Sequence, residues 1–290
     1  MRSYHIGAVV FLSSWFWVPL LAGEQPRFEI GAVSIVSNMR TRERSLRVPL
    51  NFVGPDGLRV RAARIIVDRA EDDTGAILRQ DIKPAFYHNS AGRVAGDGSD
   101  FTSKQPVSFS LGGVGKGAAM LRSIEGTVEV VIPDNDPDAT VSIERISSHF
   151  GSPIDSAALA HAGVTVTLIG EKGTATNFSD VGVQAQKFGV TLPRELFQVG
   201  ENEVGVRIVD PDGRIVGVEF QTREGGPLPY NHHGRSHFET GTGDGCRFDI
   251  YRLDPKISDD AKFVCWLITK KSLVKFPLKL ANLSLPPPSR

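Results

Sequence analysis

Apolar and polar side chains alternate with period two along much of this sequence, and the alternation sets out its elements. From Ser45 to Val53, Leu46, Val48, Leu50 and Phe52 fall on one side and Arg47, Pro49 and Asn51 on the other. That is the pattern of a half-buried β-strand. Pro49 has no N–H to give to a ladder, which predicts that its side of the strand is a sheet edge. Leu58, Val60 and Ala62 alternate with Arg59 and Arg61, and the phase slips at Ala62-Ala63 before Ile65 and Val67; such a slip predicts a β-bulge. Near the C-terminus Val274, Phe276, Leu278 and Leu280 face away from Lys275, Pro277 and Lys279. Further strands are expected at 28–36, 105–111, 121–132, 141–146, 164–169, 203–209, 215–221, 246–253 and 261–269. Residues 155–161 predict a helix of one or two turns.

Turn chemistry punctuates these runs. Gly54-Pro55-Asp56-Gly57 is one turn, and Asp210-Pro211-Asp212-Gly213 predicts a hairpin joining 203–209 to 215–221. The glycine-rich run 112–117 reads as a flexible connection. A phosphate-binding loop would need Gly and Ser or Thr where Ser110 and Gly117 stand. Near the middle, Pro133-Asp134-Asn135-Asp136-Pro137-Asp138 interrupts two strand-like runs, and neither strand can continue through the two prolines. The expected fold is all-β: two immunoglobulin-like antiparallel β-sandwich domains in tandem. The expected divisions are a signal peptide at 1–23, a first sandwich at 24–134, an Asp/Pro linker at 135–139, a second sandwich at 140–285 and a Pro-rich tail at 286–290.

Composition narrows the class. The 290 residues include 30 Gly and 18 Pro, more than long helices tolerate. Lys plus Arg and Asp plus Glu are both 33, so no net charge draws the chain to nucleic acid, and no nucleic-acid partner is expected. Arg2 and His5 precede an apolar run, 6–21, and Leu21-Ala22-Gly23 offers small residues for cleavage. A signal peptide is expected, with an uncleaved anchor as the alternative; the mature chain has no second apolar span. The protein is therefore expected to be exported to the periplasm, the cell surface or the extracellular space. The segments 121–130, 260–263 with 276–286, and 70–75 resemble parts of exported bacterial β-sandwich proteins of unknown function. That resemblance implies the fold and the route out of the cell, and no activity.

Three groups of residues carry candidate chemistry. Tyr230–Glu239 is dense in histidine, and on a loop His233, His237 and Glu239 would converge on zinc. The surrounding glycines with Pro227 and Pro229 argue against a helix there, and the alternative to a metal site is a long solvated loop joining two strands. Asp134, Asp136 and Asp138 at the junction are similar to the calcium linkers of cadherins, with Asp210 and Asp212 as further donors. The only two cysteines, Cys246 and Cys265, would face one another across a hairpin turning at 254–257, and an oxidising compartment favours their disulfide. No nucleophile elbow is present. The sequence thus leaves enzymatic activity open and inclines to none. It points to an exported, non-enzymatic binding or structural protein whose partner is a protein, a glycan or an envelope component. A metal-dependent hydrolase using 230–245 is the alternative. No cofactor is expected beyond the calcium or zinc those two groups would hold.

Overall fold

The computed structural model describes residues 27–37, 44–53, 59–80, 84–88, 107–170, 199–239, 245–254 and 258–286; at 36, 37, 44, 88, 231–239 and 245 it describes the backbone. The expected signal peptide, the turn at 54–57 and residues 287–290 of the tail lie outside these. In chain order the first strands are β1 (Arg27–Ile30), β2 (Ser34–Ser37), β3 (Arg44–Val53), β4 (Ala62–Asp72), β5 (Ile77–Gln80), β6 (Tyr87–His88), β7 (Val107–Gly112) and β8 (Met120–Val131). There follow β9 (Thr140–Ile143), α1 (Ala157–Ala162), β10 (Thr165–Ile169), β11 (Glu203–Val209) and β12 (Ile215–Gln221). Last come β13 (Tyr230–Glu239), β14 (Gly245–Leu253), β15 (Lys262–Leu267) and β16 (Leu273–Ser284). Every ladder between strands is antiparallel, and the fold is all-β.

Among the described residues the chain divides into two compact units: 27–88, 107–132 and 273–286 form the first, and 133–272 the second. The division at 140–285 expected from sequence gave β16 to the second unit. Instead β16 pairs with β8 from Leu273↔Val131 to Ser284↔Met120. Its apolar face, Phe276, Leu278 and Leu280, is buried in the first unit's core. The second unit is therefore inserted between two neighbouring strands of the first, and the two do not follow in tandem.

The first unit is a curled sheet with the order β1-β3-β7-β5-β4-β8-β16. The short β5 makes the curl: Ile77 and Leu78 pair with β4, whereas Arg79 and Gln80 pair with β7. Leu46, Val48 and Leu50 of β3 and Phe109 and Leu111 of β7 thereby share one core with Ile65 of β4 and Ile124, Val128 and Val130 of β8. Pro49 is not at an edge, since β3 is paired on both sides. β1 and β2 break at 31–33 opposite Pro49, whose carbonyl accepts from Gly31 N at 2.9 Å. N and O of one residue point to the same side of an antiparallel strand. The missing N–H thus falls in that break. The bulge expected at Ala62-Ala63 is also displaced. Both alanines pair regularly with Val131 and Val130, and the register of β4 against β8 shifts between Val67 and Arg69 and again at Asp72.

The second unit packs a four-stranded sheet, β10-β11-β14-β13, and a three-stranded sheet, β12-β15-β9, around one core. Phe220 meets Tyr230, Tyr251 and Phe263 edge-on at centroid distances of 5.9, 5.3 and 5.8 Å, a favoured aromatic geometry. Lettered A to G in chain order, the strands pair as B-C-F-E and D-G-A. Immunoglobulin constant domains instead pair A-B-E-D and C-F-G. The layers correspond; the strand order does not. The 210–213 turn also differs from expectation. Asp210 accepts from Arg214 N and Ile215 N, each at 2.7 Å, and β11 and β12 lie in different sheets. That turn carries the chain from one sheet to the other.

Candidate functional site

Pairing governs where the expected site residues fall. β13 is a strand along the whole of β14, not a solvated loop. His233 sits at its register shift, between His232↔Tyr251 and Gly234↔Ile250; His237 is opposite Arg247 and Glu239 opposite Gly245. On β14, Asp249, opposite Arg235, is fully buried. It lies 2.8 Å from Arg247 Nε and accepts from Tyr251 Oη at 3.3 Å.

The junction aspartates are divided by role. Pro133–Asn135 and Pro137–Ala139 form two 3-10 turns in place of a linker. Asp134 and Asp138 are exposed, while Asp136 is buried and caps the second turn. Asp136 accepts from Thr269 Oγ1 at 2.6 Å and from Asp138 N at 3.3 Å, and the Thr269 bond leads the interactions that hold its carboxyl below the usual carboxylate range. Among the described residues no group of three or more His, Cys, Asp and Glu is placed to hold a metal ion.

The cysteines are both buried and free. The hairpin that would have opposed them does not form, because β11 and β13 occupy both edges of β14 and Cys265 pairs within β15 with Val218 of β12 and Val141 of β9. Residues 255–257 of that connection lie outside the described residues. Burial pushes the Cys265 thiol up to about 12.

The residues that organise the first unit's charge were not singled out by their sequence. Asp72 has no exposed surface. It accepts from Thr74 N (2.9 Å), Thr74 Oγ1 (2.6 Å), Ala76 N (3.0 Å) and Gly115 N (2.8 Å). This pins the glycine-rich run 112–117, expected to be flexible, to the β4–β5 turn. A side chain at Gly115 would collide with Thr74 and Asp72. Burial would push the Asp72 carboxyl up, but those hydrogen bonds together hold it below its ordinary value.

On the outward face of the same sheet, Arg64, Glu129 and Lys275 are register partners across β4, β8 and β16. Arg64 Nε and Lys275 Nζ, the latter at 2.8 Å, both contact the Glu129 carboxylate. Phe86 lies against the Arg64 guanidinium, 4.4 Å from ring centroid to Cζ, a cation–π distance. Burial raises the Glu129 carboxyl, and the hydrogen bonds and charges of Lys275 and Arg64 more than offset it. Three rows on, Glu71, opposite Ser123, takes Arg69 Nη2 at 3.1 Å and Arg122 Nη1 at 3.2 Å. Cation–carboxylate–cation groups of this kind fix where positive charge stands on a sheet. The alternation in β16 hinted at one row, through Lys275 and Lys279; the partners came from strands far apart in sequence.

No protein-family model, no curated protein and no solved structure matches this chain. No described helix is long and apolar enough to cross a membrane.

Proposed function

We propose that this chain is an exported, non-enzymatic β-sandwich protein that binds or builds at the cell envelope or outside it, its units serving as immunoglobulin-like sandwiches do, by presenting faces, edges and loops. The observation that carries this reading is how the buried carboxylates are used. Asp72 and Glu129 are held ionised by turn amides and by paired cations, whereas a catalytic acid is kept protonated near neutral pH by an apolar setting. Charge held in this way supports a fixed recognition surface. The test is production of the full chain in a Gram-negative host, followed by fractionation and N-terminal sequencing. Recovery outside the cytoplasm with the new N-terminus at Glu24 is expected; cytoplasmic protein beginning at Met1 would reject export.

One placement favours the second reading, a metal-dependent hydrolase. β13 sets His237 and Glu239 two apart on one strand, beside the buried Asp249 row of β14. Elemental analysis of untagged protein separates the readings: one zinc per chain, lost in His233→Ala with His237→Ala, selects the hydrolase.

A further inference from the structure

The outward face of β4, β8 and β16 presents its charges unequally. The side chains of Glu129 and Glu71 are 3% and 17% exposed, while those of Lys275, Arg69 and Arg122 are 61%, 62% and 60% exposed. Each sheltered carboxylate carries two cations, so each group bears one net positive charge with its positive ends outermost. Lys279 and Glu125, both exposed, stand between the two groups in the row Arg69–Glu125–Lys279; their charges offset one another, so the face keeps the one net positive charge of each group. The row Ile66–Thr127–Pro277 beside it bears no charge. From the Glu129 row to the Glu71 row is six residues of β8, about 20 Å at the rise of a strand.

We propose that this face binds an anionic polysaccharide, whose repeated acidic groups are taken up by the two cation pairs. This rests on the binding-protein reading and names its ligand class. Two positive groups about 20 Å apart on one sheet suit an extended ligand with recurring acids better than a compact one. Arg69 and Arg122 flank Glu71 with nitrogens left over, and guanidinium groups grip carboxylates through paired N–H bonds. The buried Glu129 and the half-buried Glu71 fix the cations before any ligand arrives, which lowers the ordering cost of binding. With a net charge of +0 over the whole chain, long-range attraction to polyanions in general is weak, and local spacing does the selecting.

Calorimetric titration of the full chain with polygalacturonate tests this, with its fully methyl-esterified form and duplex DNA as comparators. Binding to the acid and not to the ester is expected. Lys275→Ala with Lys279→Ala, and separately Arg69→Ala with Arg122→Ala, should each weaken binding at least tenfold, read on protein that circular dichroism shows folded, with a lower unfolding temperature in each pair because Glu129 or Glu71 loses a cation. Lys116→Ala with Lys270→Ala, both exposed and off this face, should leave it intact. If the arginine pair does not yield folded protein, the exposed lysine pair decides. No binding, equal binding of the ester, equal loss in the control pair, or DNA bound as tightly as polygalacturonate would each overturn the proposal. The measurement uses purified protein, so failed export leaves it standing, and failed binding leaves export standing.

Discussion

Asp72 and Glu129 are charged groups taken out of water and kept charged, and that makes the first unit sensitive to acid. Their folded-state pKa values lie below the ordinary 3.8 and 4.5. The stability they contribute is thus complete above those ordinary values and is lost as pH falls through the lower folded values. The unfolding temperature should hold level from neutrality to about pH 5 and drop below about pH 4, and Asp72→Asn should flatten the drop. Cys265 acts at the other extreme. Its thiol is raised to about 12 from 9.0, so the stability it contributes is whole below 9.0 and fades as pH climbs from there. A thiol reagent should find no reactive cysteine in the native protein and two after denaturation without reductant; none after denaturation would restore the disulfide.

β4 shows how an element is completed by side chains. β6 pairs with its first two residues and β5 with Ala70 and Glu71. Between them, Gln80 Oε1 accepts from Val67 N at 3.1 Å and its Nε2 donates to Ile65 O at 2.9 Å. One amide thereby replaces the missing stretch of strand. Gln80→Ala should cost about 1–3 kcal/mol, the penalty for half-buried backbone groups left without partners. Gly126→Ala should cost a similar amount, about 1–3 kcal/mol, since a Cβ there collides with the Ile66 carbonyl. Chemical denaturation of each variant measures both. Such long-range devices were not legible in the sequence. β3 and β16 were, because each buries one face and period two records that directly; β11, β12 and β14 were legible as short, largely apolar runs between turns, and they are buried on both faces along most of their length. β13 was hidden: its His, Gly, Arg and Ser carry no apolar alternation, and only the register of β14 reveals it. Pairing partners were hidden for the same reason. Local pattern sets which face is buried, but Cys246 and Cys265 went to separate sheets because β14 had two other neighbours.

At the scale of the molecule, the decisive contact is β16 on β8. An inserted protease site between Ile132 and Thr140 would separate the two strands into different fragments. Because they pair over eleven register positions, one cut should yield two bands under denaturing conditions and a single species by native size exclusion. Two species in native buffer would show the ladder too weak to close the first unit. The base of the insertion is knotted by polar bonds: Thr269 N donates to Ser272 Oγ at 2.9 Å, Ser272 N to Thr269 Oγ1 at 3.0 Å, and Thr269 Oγ1 to Asp136. The closed stem has a mechanical meaning. Tension applied between Arg27 and Pro286 travels across the β16–β8 hydrogen bonds, so the inserted unit hangs on a slack side branch of the load path. It feels no pull until β16 has been stripped away, and only then does it become the chain's second reserve of length.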